Sequence, residues 1–250
     1  MNWLPLLGLA VTLALLVVLE RWIHRHLQGL MLLLTGDREI AVFLYALPLM
    51  PGILLHEVSH ALMAKLLGVR VGRISVRPRL ADKRIQLGFV PVEETDPIRG
   101  SLIGLAPLLT GSAAILLIGY QVFGIGEVQQ ALSAGTWVGL LSHFVDLLKA
   151  PDAWLWAYVI FTVSNTMLPS QSDRESWTPI VLFLVIAVAL AWVVGLAPVI
   201  IERLQAPIRF ATRWLTSMYG FTIVADLPFL LAILVVEWGL GRVRGMRVEY

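Results

Sequence analysis

The chain of 250 residues carries a net charge of +2, has no cysteine, and is 58% hydrophobic and only 14% charged. Soluble proteins average near half apolar and about a quarter charged, so the balance lies on the membrane side and leaves little length for a separate soluble module. The small net charge gives no footing for nucleic-acid binding, and without cysteine disulfides are excluded and any metal site must use nitrogen and oxygen ligands.

The first apolar run, 3–19, lacks a basic leading region and a small-x-small cleavage signal before Glu20-Arg21, and reads as a retained membrane helix. Further spans are expected at 40–67, 101–123, 153–168, 179–196 and 221–240, six in all. Pro48, Pro51 and Gly52 should bend the second. Residues 73–77 and 84–92 alternate apolar and polar side chains, which predicts two short strands joined by a turn around 78–83. The stretch 127–150, with Trp137, Leu140, Leu141, Phe144 and Leu148 at helical spacing, predicts an amphipathic helix lying in the interface. Residues 201–218, with Arg203, Arg209 and Arg213 among apolar neighbours, predict a second. The expected class is an all-α polytopic membrane protein, with about six transmembrane helices, a small membrane-associated β-hairpin and interfacial helices in a single membrane domain over 1–250.

Lys and Arg in short loops set orientation. Counted along six alternating spans, one side receives eleven (Arg70, Arg73, Arg77, Arg79, Lys83, Arg84, Arg99, Arg174, Arg242, Arg244, Arg247) and the other seven (Arg21, Arg25, Arg38, Lys149, Arg203, Arg209, Arg213). The expectation is a multi-pass protein of the cell membrane, with both termini, the 68–99 loop and the chemistry toward the cytoplasm. Arg21 and Arg25, directly after the first span, favour the opposite orientation for that helix alone.

His56-Glu57-Val58-Ser59-His60 carries the chemistry. On a helix, His-Glu-x-x-His puts two imidazoles on one face, where they can share a zinc ion, and directs the glutamate at the attacking water as general base. With five His in the chain, a shuffled sequence would contain about 0.004 such patterns, so chance is a poor explanation. Ionisable groups inside a membrane span cost about 2.5–3.5 kcal/mol each on insertion scales and usually face the bundle interior for a functional reason. The bland alternative is a buried polar cluster that only fixes helix packing. Catalytic zinc takes a third protein ligand, and the candidates are Asp146, Asp173, Glu175 and Asp226.

These residues, with Asn165-Thr166-Met167-Leu168-Pro169-Ser170-Gln171-Ser172-Asp173, resemble the site-2 protease family of intramembrane zinc metalloproteases. That family's second motif places an Asp eight positions after an Asn, the spacing of Asn165 and Asp173; here Pro169 falls one position late and Arg174 replaces the usual glycine. Gly104-Leu105-Ala106-Pro107 is similar to the family's glycine–proline entry to its next core helix, though the usual Asn after it is missing. The resemblance covers residues 40–175, with helices 1–39 and 178–250 beyond the catalytic core. It implies that His56, His60 and Asp173 bind Zn2+, that Glu57 is the base, and that Asn165 positions the substrate backbone or the oxyanion. The expected partners are the lipid bilayer and a membrane protein or peptide substrate, cut near the cytoplasmic leaflet. The alternative function is a non-proteolytic metal-binding scaffold or transporter.

Overall fold

The computed structural model describes residues 4–81, 84–124, 126 and 152–245. Helix α1 spans Leu4–Thr35 and ends where Gly36 takes a left-handed φ of 69°, a conformation open to glycine without steric cost. The Asp37 carboxylate then accepts from the backbone N–H groups of Glu39 and Ile40 and starts α2, Arg38–Ala46. Pro48 has no N–H to continue the ladder, and a short 3-10 turn, Leu47–Leu49, links α2 to α3, Met50–Leu66. Gly68, at φ 72°, closes α3.

Strands β1, Arg79–Ala81, and β2, Arg84–Gln86, pair antiparallel with Leu80 opposite Ile85. Two further bridges, Ser75 to Phe89 and Val71 to Val92, extend the pairing toward α3. The expected strand at 73–77 is therefore reduced to a single bridge, and regular pairing begins beyond Pro78, which has no N–H to offer a ladder. Asp96 caps α4, Pro97–Gln121, and the backbone N–H of Arg99, then that of Ile98, hold its carboxyl below the ordinary range. Helices α5, Ala153–Ser164, α6, Trp177–Val193, and α7, Ala197–Arg244, complete the described chain, with a 3-10 turn at Ser172–Arg174 before α6. The expected interfacial helix at 127–150 lies outside the described residues.

The architecture is helical, and among the described residues five segments are long and apolar enough to cross a membrane: Pro5–Thr35, Arg38–Leu66, Pro97–Gln121, Ser172–Val193 and Ala197–Arg244. The α5 helix is apolar but has only 12 residues, short of the ~20 a crossing needs. On α3, Leu54, Val58, Leu62 and Leu66 recur every fourth residue as an exposed apolar stripe, while Ile53, Glu57, His60 and Ala64 face inward. No residue of α6 is buried, although nearly all are apolar, the pattern of a helix solvated by lipid.

Two register relations organise the bundle. Helices α3 and α5 run parallel with a constant offset of 110 residues: Tyr158 Oη donates to the Pro48 carbonyl, and His56 donates to the Thr166 carbonyl. Gly52 sits between these contacts, and a Cβ there would collide with the Thr162 carbonyl. Helices α1 and α7 also run parallel. Gly8 faces Thr216, His26 Nδ1 lies 2.6 Å from a Glu237 carboxylate oxygen, and Arg244 donates to the Leu34 carbonyl at 2.8 Å.

This second relation corrects two expectations. Strict alternation over six crossings would run the first and last helices antiparallel, with both termini on one side; parallel packing requires an odd number. The separate amphipathic helix expected at 201–218 is instead continuous with the last span in the 48 residues of α7. At about 1.5 Å per residue α7 is far longer than the ~30 Å hydrocarbon layer, so it must extend beyond it or lie steeply tilted.

Candidate metal centre

Among the described residues, one group of three potential ligands converges: His56, His60 and Asp173, with the ligand atoms all within 4.8 Å of one another. The two Nε2 atoms are 3.0 Å apart, His60 Nε2 lies 3.1 Å from Asp173 Oδ1, and His56 Nε2 lies 3.7 Å from Asp173 Oδ2. Ligand bonds of about 2.0–2.1 Å in a tetrahedron imply ligand–ligand edges of about 3.3–3.4 Å, so the spacing suits a zinc ion.

Backbone carbonyls determine which nitrogen each imidazole offers. His56 Nδ1 lies 2.6 Å from the Thr166 carbonyl, and His60 Nδ1 lies 2.8 Å from the Ile103 carbonyl. A carbonyl only accepts, so each Nδ1 carries the proton and each neutral ring turns its Nε2 lone pair inward. Two lone pairs facing each other at 3.0 Å repel unless a cation or proton lies between them.

The chain supplies both carbonyls by interrupting a helix. Pro107 lies inside α4 and has no N–H for the carbonyl four residues back, which is that of Ile103. That oxygen is therefore free for His60. Thr166 follows the end of α5, and the N–H of Ser170, four residues on, donates to Asp173 Oδ2 at 2.7 Å. The Thr166 oxygen is thus left for His56, and the carboxylate is aimed in the same step. Gly104 completes the docking, because a Cβ there would collide with the Asp173 carbonyl. Ser101 Oγ also donates to the Ser176 carbonyl at 2.9 Å, tying the 170–176 segment to α4.

Glu57 is buried beside this group and lies within electrostatic range of His56, His60 and Asp173. A Cβ at Gly88 would collide with its carboxyl group, so the backbone after β2 runs against the expected base. The side chains of His56, His60 and Asp173 are only 14%, 9% and 12% exposed. Two carboxyl groups and two imidazoles are thus gathered away from water, a nitrogen and oxygen donor set that a divalent cation can share. The donor set thus fits Zn2+.

The other expected residues lie elsewhere. Glu175 is exposed, Asp226 is buried against Ser164, and Asp146 lies outside the described residues. Asn165 caps the end of α5, 2% exposed, and its amide donates to the Phe161 carbonyl and to Ser164 Oγ; its Oδ1 has no partner among the described residues. Its side chain is thus not joined to the three ligands. Sequence reasoning missed the roles of Gly88, Gly104 and Pro107, although the glycine–proline pair was visible as a motif. Compared with family models, curated proteins and solved structures, the chain shows no match to any.

Proposed function

We propose that the protein is an intramembrane zinc metalloprotease that hydrolyses peptide bonds of transmembrane or membrane-associated substrates. One observation carries the reading: two Nδ1-protonated histidines of a His-Glu-x-x-His helix point their free Nε2 atoms at each other and at Asp173, beside a buried glutamate. His56, His60 and Asp173 would hold the ion, which supplies Lewis acidity when bound. Glu57 takes the proton of the attacking water on its carboxylate and returns it to the leaving amine. Burial keeps bulk water from these charges and strengthens their mutual interactions.

A substrate helix has its backbone already hydrogen-bonded and must unwind to be cut. β2 pairs with β1 on one side, and an extended peptide added beside it as a further strand would be held unwound along the segment that meets Glu57. Seven basic residues between Arg70 and Arg99 favour a cytoplasmic position for this loop and for the nearby end of α3. A transporter would need polar groups lining a path. The buried Ser164, Asn165 and Asp226 instead pair with one another.

The test is metal analysis of the purified protein together with cleavage of a designed membrane-spanning substrate. About one zinc per chain is expected, with cleavage lost on chelation and restored by zinc. A protein that holds no zinc, or cleaves equally well without it, would refute the reading.

A further inference from the structure

Helices α1 and α7 contribute nothing to the metal ligands, yet α7 brings a buried polar group and α1 a half-buried one to the last turn of α5. Asp226 of α7 is 1% exposed. The hydroxyl of Ser164 lies 3.0 and 3.1 Å from its two carboxylate oxygens, and the Asn165 amide donates to that hydroxyl at 3.2 Å. From α1, His24 Nε2 lies 2.8 Å from the Asn165 carbonyl, while its Nδ1 meets the Tyr45 hydroxyl. The carbonyl accepts, so Nε2 carries the proton and Tyr45 donates to Nδ1. Glu20 Oε1, 3.7 Å from the same Nε2, supports that tautomer. Helix packing alone would be served by apolar side chains, at far lower cost than an acid inside a membrane helix.

Asp226 holds residue 164 and His24 holds residue 165, at the head of the segment that carries Asp173. Building on the protease reading above, we infer that Asp226, through Ser164, and His24, through the Asn165 carbonyl, form a buried clamp that positions Asn165 and the chain leading to Asp173. Asp226 is a positioning residue: it orients the Asn165 amide by holding the hydroxyl that receives it. The amide is thereby held in one orientation at the head of the 165–173 segment. The parallel α1–α7 pair is the frame on which the clamp is mounted.

Asp226→Asn keeps the size of the side chain and one acceptor oxygen but removes the charge. With zinc content at the wild-type level, the variant should lose about 10- to 100-fold in kcat, the scale of a small misplacement of a reacting group. In an Asn165→Ala background the same change should cost less than about 2-fold, because residues acting through one another are not additive. Amide hydrogen exchange over residues 165–173 should quicken in Asp226→Asn while that of residues 56–60 stays the same. Additive losses, or unchanged exchange at 165–173, would overturn the clamp. A wild-type protein that binds zinc but cleaves nothing would sink the protease reading instead, and the exchange comparison would then decide the clamp by itself.

Discussion

Two carbonyl oxygens, those of Thr166 and Ile103, decide which nitrogen each histidine presents, and one of them is free because Pro107 lacks an N–H. Pro107→Ala restores a donor that competes for the Ile103 oxygen. Zinc affinity should fall about 10- to 100-fold, the usual cost of losing a partner behind a metal-binding histidine, as read by competition with a chromogenic chelator; unchanged affinity would contradict this role. Gly104→Val should displace Asp173, since even a Cβ meets its backbone carbonyl. It should therefore lower zinc occupancy as Asp173→Ala does, while Asp226→Asn leaves occupancy intact; full zinc in Gly104→Val would show that the close approach is dispensable. His56, Glu57 and His60 were legible in the sequence because an i, i+4 pair on a helix is local geometry. Asp173 was one of four candidate acids, since its arrival depends on how α4 receives the 170–176 segment. Asn165 turns its amide donors to Phe161 and Ser164, and partners from α1 and α7 hold its carbonyl and the neighbouring Ser164, none of which is local in sequence.

Element boundaries were hardest to read where polar residues sit inside long helices. Hydropathy ends the first span at Leu19 because Glu20, Arg21, His24, Arg25 and His26 follow, yet α1 runs on to Thr35. Of these, His24 meets Tyr45 and Asn165 and His26 meets Glu237 within the bundle, while Arg21 and Arg25 are exposed. Helix α7 likewise runs on through its basic first half, where Arg203, Arg209 and Arg213 are exposed and which looked like a separate interfacial helix. Strand alternation was legible in kind but not in register, because Pro78 moves the regular pairing to β1. If β2 receives substrate as an added strand, Leu87→Pro should remove a backbone donor next to the expected docking line. Cleavage should slow while zinc stays bound; unchanged turnover would mean that substrate docks elsewhere.

The fold class was legible from composition and apolar runs, but the order of crossings was not, because alternation counts every run as one full span. Parallel packing of α1 and α7 places the Leu4 end and the Arg244 end at opposite ends of that pair. Val76, Ile85 and Leu87 of the 70–99 loop pack against the cluster that holds Leu27, Leu30 and Ile233, so reporter fusions at the two termini should give opposite signals, external at the N-terminus and cytoplasmic at Tyr250, and matching signals would break the pairing. The absence of native cysteine allows the same test with single introduced thiols and an impermeant reagent. Protease and passive metal scaffold differ most sharply at Glu57, which lies beside the ligands without being one of the three. The decisive measurement compares wild type with Glu57→Gln for both zinc content and cleavage of a membrane-spanning substrate. The expected result is equal zinc in the two proteins and a loss of cleavage of about 10²–10⁴-fold in the variant; cleavage by Glu57→Gln at the wild-type rate would contradict a hydrolytic role for the site.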